Sequence, residues 1–295
     1  TAKFSKEVRL AMKVDKLRTV IIYIIIILLG LVCLLPLLNI VAISFSSSAA
    51  VEGNMVGLIP VGFSTAAYKK ILEDSQFWHS FLISVERVVL TLIINFVLIV
   101  LMAYPLSKTN AQFRGRNIYA NLMIFAMLFN GGMIPTFLLV KSYGLLNTVW
   151  ALVLPGAVPI FNVILVMNFF AAVPKELEEA AFIDGANPLQ VLTKIFIPIS
   201  KPVLATVSLF SIVGSWNDFY SGLIYMSKAA YYPLMTYIQS LQINVEDLIK
   251  QGNLSAVVDS ASLGNTNLNA AKIVVAVIPL LLIYPLLQRY FVSGI

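Results

Sequence analysis

Six long apolar stretches constrain the fold of this chain more than any other feature of its sequence. A helix that crosses about 30 Å of hydrocarbon needs about 20 mostly apolar residues, and each stretch reaches or approaches that length. Charged residues make up only 12% of the chain and hydrophobic residues 59%, which excludes a water-soluble globular protein. We therefore predict an all-α integral membrane protein with six transmembrane helices. The stretches are residues 20–43, 81–104, 118–140, 149–172, 203–226 and 268–287.

The first stretch follows a basic segment, residues 1–18, in which apolar residues recur near a helical period among lysines and arginines. It is much longer than the apolar region of a signal peptide, which has about 7–15 residues, so we expect a retained span. Residues 1–18 are predicted to be a cytoplasmic amphipathic segment that lies as a helix on the inner leaflet, or alternatively a partly disordered tail. Residues 19–295 are predicted to form the six-helix membrane domain.

The distribution of lysine and arginine predicts the orientation of the chain. With six spans, thirteen of these residues fall on the side of the N-terminus. Four fall on the opposite side, or seven when those at the span ends are included. Because cytoplasmic loops are enriched in positive charge, both termini are predicted to be cytoplasmic. The formal net charge of +6 is therefore attributed to membrane orientation, and no nucleic-acid partner is expected.

Polar residues and prolines interrupt the apolar stretches. Six prolines fall within them, which predicts kinked or broken helices. An aspartate at mid-depth is costly unless it faces a cavity or a partner, so we expect this of Asp218, whereas Glu86 and Arg87 are expected to reach the interface. The polar belt predicts either a solute pathway or hydrogen bonds between helices; for the cluster around Asp218 we favour the pathway. The predicted substrate-pathway residues are Asn130, Asn162, Trp216, Asn217 and Asp218, and Asn95 lies at a similar depth.

The segment 174–202, between the fourth and fifth stretches, has the strongest local pattern in the chain. Pro174 is typical of a helix start, and Glu176, Glu178 and Glu179 suit the positive end of the helix dipole. Gly185 is typical of a left-handed helix stop. Asn187 and Pro188 then favour a second helix as its cap and first residue. We predict a helix, a turn and a second helix on the cytoplasmic face, and we expect a side chain at position 185 to crowd the turn.

The same segment resembles a known motif. Glu179, Ala180 and Ala181, followed at the usual spacing by Gly185 and by 195–198 (Ile-Phe-Ile-Pro), look like the EAA loop of ABC importer membrane subunits, with Ile197 where leucine is usual. Further segments resemble maltose-type carbohydrate permeases of the oligosaccharide and polysaccharide subgroup. They are 131–135, 144–148, 154–157, 216–219 and 288–294. Relatives often continue past the final glycine with a short tail towards the ATPase, whereas the printed sequence ends at Ile295.

The resemblance implies a type I ABC importer permease, in which alternating access moves an oligosaccharide, including uronate-containing ones such as alginate or pectin fragments. It implies a second permease, with a paralogue favoured, two ATPases, an extracytoplasmic solute-binding protein and a bacterial cytoplasmic membrane. The chain has no Gly-x-x-x-x-Gly-Lys-Ser/Thr motif, so ATP and Mg are expected on the ATPases, with no catalytic residue or cofactor here. The residues implied to couple to the ATPase are Glu179, Ala180, Ala181, Asp184 and Gly185.

Two other functions are compatible with parts of the sequence. An ion-coupled secondary transporter for a small polar solute would use Asp218 and Glu86 as titrating groups, but it leaves the 174–202 motif unexplained. A membrane-embedded enzyme is disfavoured because His79 is the only histidine and no nucleophile–base spacing accompanies it. With Cys33 as the only cysteine, no metal site is expected.

Overall fold

The computed structural model describes residues 2–129, 131–241 and 266–292, with the backbone alone for 2–17, 287 and 289–292. Every long regular element in these ranges is a helix. The helices are α1 (Ala2–Ser44), α2 (Ser48–Glu52), α3 (Ala66–Glu73), α4 (Ser75–Leu106), α5 (Arg116–Leu128), α6 (Met133–Ser142), α7 (Val149–Val153), α8 (Ile160–Ala171), α9 (Lys175–Ile183), α10 (Pro188–Ile199), α11 (Lys201–Asn217), α12 (Tyr220–Tyr225), α13 (234–241) and α14 (Thr266–Val292).

The number of membrane spans agrees with the sequence. Three helices are long and apolar enough to cross a bilayer alone, namely α4 and the segments Arg18–Ser44 of α1 and Thr266–Leu286 of α14. Three pairs of shorter helices pass the same test together, each with a sharp bend. They are α5 with α6, α7 with α8 (48°) and α10 with α11 (83°). When each pair counts as one span, the described residues contain six candidate spans, as predicted.

The prediction that the fifth stretch, 203–226, forms a single helix is wrong. α11 ends at Asn217, Asp218 takes an extended conformation, and α12 starts at Tyr220. The side chain of Asp218 accepts a hydrogen bond from the backbone N–H of Ser221 (3.1 Å), which satisfies a donor at the start of α12. Hydropathy continues across the break, so the apolar pattern alone does not reveal it.

Proline lies at the break between α7 and α8, as expected, and a glycine precedes α6. Pro155 lies in a single 3-10 turn between α7 and α8, and Pro159 precedes α8 directly. Gly132 has a left-handed φ of +92° immediately before α6, a conformation that favours glycine. Pro36 lies inside the continuous helix α1, so proline does not end every span that contains it.

The chain divides into two compact units. The first contains α1, α2, α3 and α14 as far as Val275. In this unit the hydroxyl of Ser44 lies 2.8 Å from that of Tyr68, and the amide of Asn267 donates to the backbone oxygen of Ser46 (3.2 Å). The most apolar part of α1 has no buried residue in the chain alone.

The second unit, from Asp74 onwards, has its core along α4. Both α8 and α11 pack against α4. One apolar cluster joins them, and it includes Ala103 of α4, Val166 of α8 and Val207 of α11, each almost fully buried. The same cluster contains Val191 and Phe196 of α10. Within the segment between α8 and α11, α10 is therefore packed into the core of this unit.

Candidate functional site: a polar cavity and the loop between α8 and α11

A polar cavity of about 250 Å³ lies among α4, the α7–α8 break, α11 and α12. Its lining combines hydroxyl, amide, carboxylate and guanidinium groups with apolar side chains. The polar residues of the lining are Arg87, Thr91, Asn95, Asn162, Ser211, Ser215, Asp218, Ser221 and Tyr225. Clefts with a few convergent polar groups are the usual form of a small-molecule site.

Arg87 joins three spans at one edge of this cavity. Its guanidinium forms an ion pair with the carboxylate of Asp218 and also donates to the backbone oxygen of Asp218 (2.9 Å). Its Nη2 also lies 3.5 Å from the backbone oxygen of Leu152 in α7. One side chain of α4 therefore contacts the break between α11 and α12 and the last turn before the α7–α8 break.

The expectation for Arg87 was wrong, and the expectation for Asp218 is confirmed. Arg87 is only 4% exposed and does not reach an interface, because a carboxylate and two backbone carbonyls pair with its Nη atoms inside the unit. Asp218 faces both a partner and the cavity. Glu86, the neighbour of Arg87, is exposed. Consecutive residues of a helix point in different directions, so Arg87 is buried while Glu86, one residue before it in α4, is exposed.

Three buried polar atoms of α4 have no hydrogen-bond partner among the residues that the structure describes. They are Nε of Arg87, Oγ1 of Thr91 and Oδ1 of Asn95. Buried polar groups are normally satisfied, so these atoms suit water or a hydroxylated solute. The sequence interpretation missed Thr91, although a spacing of four from Arg87 and from Asn95 places all three on one helix face. Asn95 also donates to the Ser211 hydroxyl (3.2 Å), which is the interhelical hydrogen bond considered as the alternative.

The structure brings together only some of the predicted pathway residues. Asn162 and Asp218 line the cavity. Trp216 is buried outside the lining, where its Nε1 donates to the backbone oxygen of Ala276 (3.1 Å) and its ring meets the Phe81 ring edge-on. Asn217 is exposed and is not part of the lining. Asn130 lies outside the described residues.

The predicted helix, turn and second helix of the 174–202 loop are confirmed as α9, Gly185 and α10. α9 begins directly after Pro174, and Gly185 has a left-handed φ of +80°. The backbone N–H of Ala186 donates to the oxygen of Ala181 (2.9 Å), which closes the end of α9. Asn187 and Gln190 exchange two side-chain–backbone bonds of 2.9 Å, a capping box that starts α10.

One physical reason given for Gly185 was wrong. A Cβ at this position would meet no atom of the described residues within 4 Å, so nothing in the described part of the chain would crowd it. Only the left-handed backbone conformation favours glycine here. The open space belongs to a concavity of about 470 Å³ between α9 and α10, lined by Ala181, Asp184, Gly185, Ala186, Gln190, Val191, Lys194 and Ile195.

The five predicted coupling residues lie at or near the surface. Glu179, Ala180, Asp184 and Gly185 are exposed, and Ala181 is partly buried. Beside them, Ile183 is 86% exposed and Phe182 is also exposed. A protruding apolar side chain on a short helix is typical of a surface that contacts another protein.

Glu178 has a partner that the sequence interpretation missed. It was assigned to the positive end of the helix dipole, but both of its carboxylate oxygens lie 2.7 Å from Nζ of Lys108. Lys108 follows the end of α4, 70 residues away along the chain. Nothing in the local pattern of either segment indicates this pair.

Comparison with known proteins places this architecture in a family. Residues 8–295 match the family described as "Binding-protein-dependent transport system inner membrane component". The match covers both the cavity-lining helices and the α9–α10 loop, which are the two sites described above.

Individual relatives agree with this assignment over nearly their whole length. The chain is 40% identical over 265 residues to Protein LplC of Bacillus subtilis (strain 168), covering 90% of this chain and 88% of that protein. It is 39% identical over 280 residues to the polygalacturonan/rhamnogalacturonan transport system permease protein YtcP of the same strain, covering 95% and 96%.

A solved structure gives the same answer for the fold. It is a chain of a bacterial ABC transporter involved in the import of the acidic polysaccharide alginate, with a TM-score of 0.81 and 33% sequence identity, covering 94% of this chain and 97% of that one. These matches agree with the ABC importer resemblance and leave no support for an ion-coupled carrier. The chain belongs to the family of binding-protein-dependent transport system inner membrane components, and it is an integral membrane permease subunit.

Proposed function

We propose that this chain forms one half of the membrane pathway of an ATP-driven importer for acidic oligosaccharides. The observation that carries the substrate class is the similarity to two proteins that are named for the transport of particular polysaccharides. One is the polygalacturonan/rhamnogalacturonan permease YtcP, and the other is the alginate importer. Both matches extend over more than nine-tenths of this chain.

The polar cavity is the proposed solute-facing site. Sugars are bound through hydroxyl and amide hydrogen bonds, which Asn162, Ser211 and Ser215 supply at its wall. Asp218 contributes to the same wall through its pair with Arg87. Asn217 and Asn130 remain candidates from the sequence. The contacts of Trp216 support a packing role instead, so of the five predicted pathway residues it has the least support as a residue that contacts the solute.

The α9–α10 loop is the proposed docking site for a separate ATPase. Glu179, Ala180, Ala181, Asp184 and Gly185 are proposed to couple the two subunits without catalysing a reaction. Their accessibility and the adjacent concavity of about 470 Å³ support this role. ATP and Mg would be bound by the ATPase, whose closure would drive alternating access of the permease.

The remaining partners follow from an importer of this kind. We propose a second permease subunit, most simply a paralogue, together with two ATPases and an extracytoplasmic solute-binding protein. The fully exposed apolar part of α1 is available to lipid or to the second permease. The excess of lysine and arginine on one side of the spans supports cytoplasmic N- and C-termini in a bacterial inner membrane.

Two measurements test this function. The chain is purified from its native membrane in mild detergent, and we expect an ATPase and a second permease to co-purify with it. Cells with and without the chain are then given labelled oligogalacturonide, alginate oligosaccharide or a neutral maltooligosaccharide. ATP-dependent uptake of an acidic sugar is expected only with the chain. Equal uptake of the neutral sugar would contradict the substrate class, and uptake that follows a proton gradient instead of ATP would contradict the importer.

A further inference from the structure

A single lysine connects three elements at the end of α4. Both carboxylate oxygens of Glu178 in α9 lie 2.7 Å from Nζ of Lys108. The same Nζ lies 4.1 Å from the ring centroid of Tyr104 in α4 and 4.3 Å from that of Phe196 in α10. The ammonium group is thus held by a carboxylate and by two aromatic faces, each from a different helix.

This arrangement is shielded from solvent. The side chains of Lys108 and Glu178 are 12% and 11% exposed, and Phe196 is 2% exposed. The rings of Tyr104 and Phe196 meet edge-on with centroids 5.1 Å apart. Surface ion pairs contribute little because water and salt screen them, whereas loss of one member of a pair this buried leaves an uncompensated charge.

The position of the pair separates two faces of α9. Glu178 points into the unit, while its neighbour Glu179 is exposed on the face proposed to meet the ATPase. Ala181 and Ala186 pack against the apolar cluster that contains Ala103 and Leu106 of α4. The polar pair and this apolar contact together fix the orientation of α9 relative to the membrane helix.

We propose that Lys108 and Glu178 are positioning residues that transmit movement of α9 to α4. The inference rests on the proposed function, because it requires an ATPase that moves α9. An apolar contact alone permits α9 to slide or rotate, since hydrophobic packing is not directional. The Lys108–Glu178 pair, held between two rings, restricts that freedom. Without it, the ATPase would still bind the exposed face of α9 and hydrolyse ATP, but α4 would follow less of the movement.

The decisive variant is the double substitution Lys108→Met with Glu178→Gln. Each single substitution leaves an unpaired buried group and is therefore expected to destabilise the chain. The double variant leaves no buried charge and nearly conserves side-chain volume, so it is expected to fold and assemble. Lys108→Arg serves as the conservative variant, because arginine also pairs with carboxylates and stacks on aromatic rings. Arg114→Met is the matched control, because it removes an exposed cation from the same segment between α4 and α5.

The experiment uses the complete transporter in proteoliposomes with its binding protein and labelled oligogalacturonide. The readout is the number of solute molecules imported per ATP hydrolysed, alongside the amount of ATPase that co-purifies. We expect the double variant to keep its ATPase and lose about tenfold in this ratio, a typical size for coupling between sites. Lys108→Arg is expected to stay within about twofold of the wild type, and Arg114→Met is expected to match it.

Different failures have different meanings. A wild-type ratio in the double variant would overturn the role of the pair, even if the single variants are defective, because the defect would then arise from a stranded charge. Parallel loss of ATPase binding and uptake would also overturn it, because the pair would then be needed only for folding or docking. A wild-type complex without an ATPase would contradict the proposed function itself.

Discussion

The buried pair of Arg87 and Asp218 predicts an unequal response to removal of its two members. Arginine stays protonated under all ordinary conditions, whereas an aspartate left alone can accept a proton. The side chain of Arg87 is 4% exposed and that of Asp218 28%. Asp218→Leu therefore strands a charge that cannot be neutralised, on the less exposed of the two side chains, while Arg87→Met strands one that can be neutralised.

The structure sets the magnitudes of these two losses. Removing one member of a buried ion pair costs about 3–5 kcal/mol, and Asp218→Leu is expected in the upper part of this range because it also removes the bond to the N–H of Ser221. Arg87→Met is expected to cost about 2 kcal/mol, because the more exposed Asp218 can be neutralised by a proton. The double variant, with no charge left, is expected to lose only about 1 kcal/mol, mainly the helix-capping bond.

Equilibrium unfolding in mixed micelles measures these free energies of unfolding. Glu86→Leu is the matched control, because Glu86 is the neighbouring carboxylate and is exposed, and we expect no loss of stability from it. The reasoning is refuted if Arg87→Met is as destabilising as Asp218→Leu. It is equally refuted if the double variant is the least stable of the three, because the pair would then stabilise the fold outright.

Three further predictions concern glycines and a helix cap. Gly222→Ala should lower the free energy of unfolding by about 1–3 kcal/mol, because the new Cβ would lie 2.1 Å from Oγ1 of Thr236. Gly214→Ala is the control in the same melting assay. Its Cβ would meet no described atom within 4 Å, so it should not lower the free energy of unfolding. Gly185→Asn should retain ATP-driven uptake because asparagine tolerates a positive φ, whereas Gly185→Val should reduce it through about 1–2 kcal/mol of backbone strain; equal uptake by the two variants would contradict this. Asn187→Ala should destabilise the start of α10 by about 1 kcal/mol, measured as faster amide hydrogen exchange in α10 and unchanged exchange in α4.

Local sequence patterns predicted the elements that local chemistry decides. The six apolar stretches gave the number of spans, since burial in lipid depends on length and hydropathy alone. Gly185 and Asn187 gave the turn and the second helix of the 174–202 loop, because a left-handed residue and a helix cap are properties of a few consecutive residues. Asp218 was expected to face a cavity or a partner for an equally local reason, the cost of a charge at mid-depth.

The contacts that organise the two sites could not be predicted in the same way. Arg87 and Asp218 are 131 residues apart, and Lys108 and Glu178 are 70 apart. In each case the local sequence offered an explanation that did not include the partner. Arg87 was expected to reach the membrane interface, and Glu178 was expected to interact with the positive end of the helix dipole. A charged side chain takes the partner that packing brings to it, and packing between distant spans is not visible in a single sequence.

The two ion pairs have α4 in common, and this connects the cavity with the loop. Arg87 lies inside α4 and Lys108 follows its end, so at 1.5 Å per residue the two cations are about 30 Å apart, close to the thickness of the hydrocarbon core. Arg87 binds the break after α11, and Lys108 binds α9. α4 is a single unbroken helix between them, whereas the spans that contact it on either side are broken. A displacement of α9 that α4 follows would therefore act on the break at Asp218, where the cavity is. If α4 carries the movement, the double variant at Lys108 and Glu178 should lower import per ATP while leaving the hydrogen-exchange protection of the α11–α12 break unchanged in the resting state. Lower protection of that break in the resting transporter would instead show that the pair stabilises the cavity, and the transmission argument would fail.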